Sequence, residues 1–393
     1  MLKNQTQTEL DQHQFAYRHN RSVDDAVMSF IHYTHEHLDK KDSSYVRILY
    51  VDFSSAFNTV QTHLLAQKLN NMHVNSNLNL WVCDFLTDRT QAVKYISHNS
   101  PTPSISAPVH SPSSSSSDSP SSSPSTSVCL SSVKHINTGT PQGTVISPFV
   151  FTLYTNDCRS TRKDTAIIKF SDDTAIVDKS EDVSAFEEEV RKFSSWCQTN
   201  HLELNVGKTK EMVVDFKRQK SDIPPLDIHG QTVERVTEYK YLGTVIDNKL
   251  TFSSNVEGVY KKCRQRMHLM YQLRAYMVSS KILEKCYRAY VESVLTFSFV
   301  CWFGSVTVKD RNRLNGVVNE CSNIVGSRQI SLADLYSSRV KSRALKIKSD
   351  PSHVLADCYE ILPSGRRLRA TECRTTRFQK TFIPASISFL NHE

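Results

Sequence analysis

Glycine is scarce in this chain, and long apolar runs, paired cysteines and internal repeats are missing from it. The 393 residues include ten glycines and ten cysteines. No apolar run is long enough to cross a bilayer, and the first 14 residues contain no apolar core of a signal peptide. Because the cysteines form no C-x-x-C pair and have no histidine at zinc-ligand spacing, the sequence predicts reduced thiols and no zinc site. We expect a soluble intracellular protein.

Charge is distributed unevenly along the chain. Residues 251–393 hold 23 Lys and Arg against 11 Asp and Glu, whereas residues 1–250 hold 25 against 29. The basic C-terminal part indicates contact with a polyanion, and a solvated basic surface is the alternative that gives the same totals. With 39% hydrophobic residues, the chain is long enough to form two or three packed domains.

One segment differs in composition from everything around it. Two thirds of residues 97–132 are serine or proline, a composition that offers little to bury, so we expect disorder there. Regular patterns of apolar residues resume on both sides, which indicates that the insert interrupts one domain.

Outside the insert, the apolar patterns predict strands at 45–53, 89–96, 210–216 and 238–246, helices at 60–72 and 183–198, and a helical region from 256 onward. This irregular order is typical of an α+β fold.

Two adjacent carboxylates interrupt an apolar, strand-like stretch. In KFSDDTAIV, Asp172 and Asp173 lie at the predicted bend of a β-hairpin, and Asp52 ends the predicted strand at 45–53. Buried carboxylates repel each other unless a cation is present. If the two segments are neighbours, the three side chains would suit Mg²⁺ ions, and two ions about 4 Å apart can promote phosphoryl transfer. An exposed Asp-Asp turn is the simpler alternative.

Five segments in order resemble the motifs of reverse transcriptases. VDFSSAFNT resembles motif A, NTGTPQGTVISPFVF motif B, FSDDT motif C, HLELNVGKTKEM motif D and YKYLGTVI the primer-grip motif E. QFAYRHNRSVDDA is similar to the preceding fingers motif, and LPSGRRLRATECRTTRFQKTFIP to the tail of jockey-like polymerases of non-LTR (LINE-type) retrotransposons. The resemblance implies an RNA-directed DNA polymerase with a right-hand palm, partial fingers and a helical thumb-like domain.

The resemblance also implies roles for individual residues. Asp52 and Asp172 would bind two Mg²⁺ ions, or Mn²⁺ as the alternative, with Asp173 as a lesser ligand and Lys208 neutralising the departing pyrophosphate. The sugar of the dNTP would meet Phe57, and the nascent base pair would meet the turn that carries Gly139, Gln142 and Gly143. Template or triphosphate would contact Arg18 and Arg21, and the primer would contact Tyr241, Leu242 and Gly243. Core packing for Phe57, a solvated Lys208 and a simple hairpin at Tyr241 are the alternatives.

The resemblance divides the chain into six parts. These are partial fingers (1–44), a first palm part (45–96), the insert (97–132), a second palm part (133–250), the thumb-like domain (251–345) and a basic tail expected to be a docking arm (346–393). Because upstream fingers segments and an endonuclease are not present, we expect an N-terminally truncated copy. The resemblance implies a nuclear and cytoplasmic location. It also implies an RNA template, a DNA primer and dNTPs as partners, and no membrane. A catalytically inactive nucleic-acid binder and a Ser-rich interaction scaffold are the rival functions.

Overall fold

A computed structural model describes residues 1–98 and 126–392 of the chain. The α-helices are α1 Leu2–Thr6, α2 Val23–Leu38, α3 Thr62–Asn71, α4 Ser76–Leu86, α5 Ser147–Tyr154, α6 Val183–Thr199, α7 Ser253–Ala275, α8 Ser280–Cys286, α9 Ser293–Leu295, α10 Phe299–Trp302, α11 Val308–Val325, α12 Leu332–Lys348, α13 Thr376–Gln379 and α14 Phe382–Asn391. Short 3-10 helices occur at Ala56–Asn58, Phe303–Ser305 and Ala356–Cys358, and a π-helix at Tyr287–Glu292. Within the described ranges, no helix has the length and apolarity needed to cross a membrane.

The strands form one central sheet and several two-stranded ribbons, so the α+β fold class is confirmed. The strands are β1 Tyr45–Val51, β2 Phe53–Ser54, β3 Arg89–Gln91, β4 Lys94–His98, β5 Thr126–Leu130, β6 Lys134–Ile136, β7 Thr165–Phe170, β8 Asp173–Asp178, β9 Glu203–Leu204, β10 Lys210–Asp215, β11 Asp227–Ile228, β12 Gln231–Thr232, β13 Glu234–Arg235, β14 Glu238–Tyr241 and β15 Thr244–Asp247. The central sheet has the order β13-β10-β1-β8-β7.

Strand β1 occupies the middle of the central sheet and pairs antiparallel with both β10 and β8. Strands β7 and β8 form the hairpin that the sequence predicted around the acidic pair. The segment 238–246, predicted as extended, folds into a second hairpin, β14 with β15. The predicted strand at 89–96 is divided between β3 and β4, which pair with β6 and β5.

Both faces of the central sheet are covered, because successive residues of β1 face opposite sides. Ile48 and Tyr50 belong to a core that also contains residues of α2 and of the C-terminal helices. Leu49 and Val51 belong to a second core, built with residues of α3, α5 and α6. The sheet therefore forms a layer between helices, and its strand ends are the places where polar side chains can reach solvent.

The C-terminal helices pack onto one face of this sheet. Buried residues such as Met267, Leu314 and Val340 share the core that contains Ile48. The tail is more ordered than the expected docking arm, since α14 packs against α12 and α2 and buries Phe382 and Ile383 among other apolar residues. The thumb-like helices and the end of the tail are thus built into the same hydrophobic core as the sheet.

The Ser/Pro insert begins and ends differently from the prediction. Disorder was expected from residue 97 to residue 132, but 97–98 and 126–130 belong to β4 and β5, where His98 is the register partner of Thr126. Local strand pairing therefore extends into the biased segment from both sides and brings His98 and Thr126 together. The rest of the predicted insert, residues 99–125, lies outside the described residues.

Candidate active site

The three carboxylates lie at one end of the central sheet. Val51, the last residue of β1, is the register partner of Thr174 in β8, so Asp52 follows β1 directly across from Asp173. Phe170 pairs with Asp173 and closes the β7–β8 hairpin, leaving Asp172 in the bend. This is the arrangement that the sequence analysis expected, and it depends on β1 and β8 being neighbours in the sheet.

Electrostatic repulsion is visible at this strand end. Partial enclosure of the carboxyl group, and next the charges of Asp172 and Asp52, raise the pKa of Asp173 above its usual value. Asp172 and Asp173 are exposed, and Asp52 is half-buried. A cation placed among the three would remove the repulsion, because an opposite charge within a few ångströms favours ionised carboxylates.

The carboxylates suit hard cations by donor type but do not enclose one. Across residues 1–98 and 126–392, no group of three or more His, Cys, Asp or Glu side chains is arranged to hold a metal ion. Mg²⁺ usually takes one or two carboxylates from the protein and completes its shell with water and substrate phosphates. The residues present therefore fit an open site that substrate would complete, and do not fit a closed protein cage.

The loop between β9 and β10 clamps the backbone at Asp52. The amide of Asn205 donates to the carbonyl oxygen of Asp52 at 2.9 Å, and the amide of Asp52 donates to Thr209 Oγ1 at 3.3 Å. Thr209 Oγ1 in turn donates to the carbonyl oxygen of Asn205 at 2.9 Å. Sequence analysis missed Asn205 and Thr209, although both lie in the segment similar to motif D. Between them, Lys208 is exposed.

The motif B turn packs onto the segment that follows Asp52. The amide of Gly139 donates to the carbonyl of Val60 at 2.7 Å, and the amide of Thr140 to the carbonyl of Phe57 at 2.8 Å. Gly139 has φ +69, and a Cβ there would lie 2.7 Å from the Cα and O atoms of Asn58. Glycine is therefore required at 139 for both the backbone conformation and the close approach.

Phe57 and Gln142 are neighbours in this arrangement. Phe57 is half-buried, and its ring centroid lies 4.7 Å from that of Phe151. Gln142 is exposed, and its Nε2 lies 3.5 Å from Oδ1 of Asn58, the residue after Phe57. Gly143 has φ +82 with open space around it. Core packing accounts for one side of the Phe57 ring, and the partial exposure leaves the rest accessible.

Both arginines of the fingers-like segment form hydrogen bonds within the protein. Arg21 donates to Asp350 at 2.6 Å and to Ser352 at 2.9 Å, and its side chain is 1% exposed. The Arg21 side chain is thus bound within the fold, and its contact with template or triphosphate stays a prediction. Arg18 donates to the carbonyl of Asp11 at 2.6 Å, and burial is the main cause that lowers its pKa.

The primer-grip-like residues form the tip of the β14–β15 hairpin. Leu242 and Gly243 both have positive φ, 47° and 86°, as a two-residue turn between twisted strands requires. Tyr241 is 2% exposed, and its ring lies 5.5 Å from that of Tyr50. The side chain of Tyr241 therefore anchors the hairpin from inside, and the tip residues Leu242 and Gly243 are the ones exposed enough to meet a ligand.

A buried lysine supports the acidic hairpin from behind. Lys169 is 1% exposed and lies 2.8 Å from Asp11, with further hydrogen bonds to the carbonyls of Thr155 and Cys158. Although burial alone would raise the pKa of Asp11, the hydrogen bond from His13 and the charge of Lys169 hold it well below its usual value. The N-terminal segment is thereby fixed to β7. The sequence offered only an isolated lysine in a strand as a signal.

Comparison with known proteins identifies the family. The family described as "Reverse transcriptase (RNA-dependent DNA polymerase)" matches residues 1–246, which include all five motif-like segments. The chain belongs to the reverse transcriptase family. The match ends within β15, so the C-terminal helices of this reverse transcriptase chain lie beyond it.

Similar curated proteins come from mobile elements. The "RNA-directed DNA polymerase from mobile element jockey" of Drosophila funebris is 31% identical over 158 residues, 37% of this chain and 17% of that protein. Its Drosophila melanogaster counterpart is 28% identical over 36% of this chain and 16% of that protein. The chain thus spans about a sixth of the length of the curated relatives it matches. The resemblance to polymerases of non-LTR elements is confirmed.

Solved structures with a similar arrangement are telomerases. The telomerase from Candida albicans in complex with the TWJ fragment of telomeric RNA is 14% identical, with a TM-score of 0.35 over 91% of this chain and 55% of that chain. The apo telomerase from Candida tropicalis is 11% identical, with a TM-score of 0.36 over 88% of this chain and 57% of that chain.

Proposed function

We propose that this chain catalyses RNA-directed DNA synthesis, in which the 3′-hydroxyl of a primer attacks the α-phosphate of a dNTP paired with an RNA template. The observation that carries the proposal is the pairing of Val51 with Thr174, which sets Asp52 across from Asp173 beside the Asp172 bend. Three carboxylates that repel one another at a solvent-facing strand end are suited to divalent cations and phosphates.

The carboxylates would hold two Mg²⁺ ions, or Mn²⁺ as the alternative, with Asp52 and Asp172 as the main ligands and Asp173 as a lesser one. When bound, these ions would activate the primer hydroxyl and neutralise charge on the phosphates. Asn205 and Thr209 keep the Asp52 backbone in place through the hydrogen bonds described above. Their role is to limit the movement of a carboxylate that would hold a metal ion, because a misplacement of about 1 Å can lower the rate about a hundredfold.

Other residues of this chain would position the substrates. Lys208, exposed on the loop that clamps Asp52, would neutralise charge on the departing pyrophosphate. Phe57 would face the sugar of the dNTP, and the turn bearing Gln142 and Gly143 would lie along the nascent base pair. The hairpin tip at Leu242 would hold the primer end. Arg21 has no part in this proposal, because its guanidinium is bound to Asp350.

The relatives' names support a proposal for the template, and the location depends on that proposal. Because the matched proteins are polymerases from mobile elements, we infer that the template is RNA of such an element. Copying at a chromosomal target requires entry into the nucleus, with synthesis of the protein in the cytoplasm. The scaffold alternative is not favoured, since the family match extends through every motif-like segment.

Primer extension tests the proposal. The purified chain is given a DNA primer annealed to an RNA template, dNTPs and Mg²⁺, and Asp172→Ala is compared with the wild type. We expect extension to fall at least about a hundredfold, since metal-based charge stabilisation contributes several kcal/mol. Asp222→Ala, a change at another exposed aspartate, should leave extension unchanged. Extension that is absent from the wild type but accompanied by binding to the hybrid would favour the inactive nucleic-acid binder.

A further inference from the structure

A basic cavity opens at the edge of the central sheet, at the end opposite the carboxylates. It has a volume of about 350 Å³, at the lower end of the range for ligand-binding clefts. We call it the basic cleft and define it by six of its lining residues. These are His13, Tyr33, Arg159, Arg162, Lys163 and Lys179.

Most cations of the basic cleft lack a carboxylate partner. In the described ranges, Arg162 and Lys163 form no ion pair, and Arg159 donates to the backbone carbonyls of Asn156 and Glu9. Lys179 lies 3.7 Å from Glu36. The cleft therefore presents a net positive charge, although residues 1–250 as a whole carry slightly more acidic than basic side chains.

Two further observations indicate that the cations of the cleft lack a hydrogen-bond acceptor. The Nε atom of Arg162 is buried without a hydrogen-bond partner, and a buried donor without an acceptor costs about 1 to 3 kcal/mol. The carboxylate that lines the cleft, Asp11, is already bound to Lys169 at 2.8 Å. An anion entering the cleft would satisfy the Arg162 donor, and Asp11 does not compete for this role.

Position separates the basic cleft from the carboxylates. Thr165, Ala166 and Ile167 of β7 line the cleft, and β7 ends at Phe170, just before the bend with Asp172. Along the strand, Phe170 lies about 17 Å from Thr165 and about 10 Å from Ile167. A triphosphate held at the carboxylates cannot reach the cleft, so an anion bound there belongs to another part of a ligand or to another molecule.

Aromatic rings accompany the cations. His13 and Tyr33 have ring centroids 5.9 Å apart and share a hydrogen bond of 3.1 Å, while Lys179 Nζ lies 5.3 Å from the centre of the Tyr33 ring. Basic grooves lined with aromatic rings are typical of surfaces that bind single-stranded nucleic acid. A site for free inorganic phosphate would have no use for the rings.

We propose that the basic cleft binds a phosphodiester of single-stranded RNA, outside the site where primer and template meet the carboxylates. The cleft would hold an unpaired stretch of the same RNA that serves as template, and so add affinity for long RNA over short hybrids. This proposal concerns binding, and it does not require that the chain polymerise DNA.

The test uses a matched pair of double variants of the full chain. Arg162→Ala/Lys163→Ala removes two cleft cations, and Arg191→Ala/Lys192→Ala removes the same two residue types from exposed positions of α6, where both pair with Glu188. Affinity is measured against salt for a short, blunt primer–template hybrid and for the same hybrid with a single-stranded RNA extension. Each lost contact to a single strand reduces the salt slope by about 0.7, so we expect a decrease of about 1.4 and about tenfold weaker binding at physiological salt for the extended RNA.

Several outcomes would overturn the proposal. If the Arg191/Lys192 control weakens RNA binding equally, the effect comes from the loss of positive charge in general. If the cleft variant binds the extended RNA with unchanged affinity, the cleft is not an RNA site. Displacement of the RNA extension by millimolar inorganic phosphate would identify a small-anion site instead. Because Arg162 is half-buried, Lys163→Glu serves as a second variant whose exposed position leaves the fold intact. Lys163→Glu should weaken binding of the extended RNA at least as much as the loss of one phosphate contact predicts.

The binding test and the polymerase test fail in distinguishable ways. Extension on the short hybrid should be unchanged in Arg162→Ala/Lys163→Ala, because both residues precede Thr165, which lies about 17 Å along β7 from Phe170 and the Asp172 bend. A chain without polymerase activity would still show the difference between extended and blunt RNA. Conversely, an active chain without that difference would disprove the cleft proposal alone.

Discussion

Tyr239 stacks on Tyr50, with ring centroids 4.1 Å apart and planes inclined by 15°. Tyr50 lies two residues before Asp52 on β1, and Tyr239 lies on β14, the first strand of the hairpin whose tip is Leu242 and Gly243. The stack therefore joins the strand that ends at the carboxylates to the hairpin proposed to hold the primer. If the hairpin holds the primer as proposed, the distance between primer and carboxylates depends on this contact.

Tyr239→Ala should weaken primer extension while leaving hybrid affinity nearly unchanged. An aromatic pair contributes about 1 kcal/mol beyond its buried area, which corresponds to about a fivefold decrease in kcat if the loss falls on primer placement. Tyr239→Phe keeps the ring and should behave as wild type. A loss of equal size in Tyr239→Phe would mean that the hydroxyl matters and the stack does not.

Phe57→Val should raise incorporation of ribonucleotides relative to deoxynucleotides. The ring is half-buried against Phe151, and the 2′-hydroxyl is the only sugar difference between the two substrates. Removing the ring opens space for that oxygen, and we expect the ratio of kcat/KM values to change by about tenfold. Phe85→Val, at a half-buried aromatic of α4, is the control. If both activities fall together and their ratio stays constant, Phe57 serves only in packing.

Gly139→Ala should destabilise the fold more than Gly143→Ala. Both glycines have positive φ, but a Cβ at 139 would lie 2.7 Å from backbone atoms of Asn58, whereas a Cβ at 143 meets open space. We expect a loss of about 2 to 4 kcal/mol in the free energy of unfolding at 139 and about 1 kcal/mol at 143. Denaturant unfolding of the two variants measures the difference. Equal losses would show that conformation alone decides both positions.

Acid should unfold this protein partly through buried histidines. His35 packs between the rings of Phe216 and Phe378, and burial, followed by the charges of Arg377 and His32, lowers its pKa from 6.5 to about 3. The folded state therefore binds a proton less readily than the unfolded state. The stability from this group is complete above about pH 6.5 and is lost as the pH falls from 6.5 toward 3.

Thermal unfolding across this pH range tests that expectation. His35→Phe should reduce the slope of the unfolding free energy against pH by the equivalent of up to one bound proton. His63→Gln, at an exposed position of α3, should leave that slope unchanged. The decrease will persist in part, because burial also lowers the pKa values of His32 and His353. An unchanged slope in His35→Phe would mean that His35 is protonated in the folded state.

Sequence alone determined the local features of this protein. The alternation in YVRILYVDF, the helical spacing in VSAFEEEVRKFSSWCQ and the acidic bend in KFSDDTAIV each predicted an element that is present, because local conformation depends mainly on neighbouring residues. The order of the motif-like segments identified the family for the same reason, since each motif is a short contiguous stretch. Roles for Asp52, Asp172 and Phe57 followed from that order, and they remain predictions.

Only the tertiary structure decided which segments meet. Strand β1 lies between β10 and β8, Arg21 is bound to Asp350, and Asn205 and Thr209 clamp Asp52. Except for the β1–β8 pair, whose separation is shorter, these contacts join residues that are 153 to 329 positions apart in the sequence. Burial of apolar surface selects such contacts, and that selection acts on the whole chain at once, so no local pattern contains it. The basic cleft is the same kind of feature. Its cations come from 159–163 and from Lys179, and its rings from His13 and Tyr33, and folding alone brings them to one cavity.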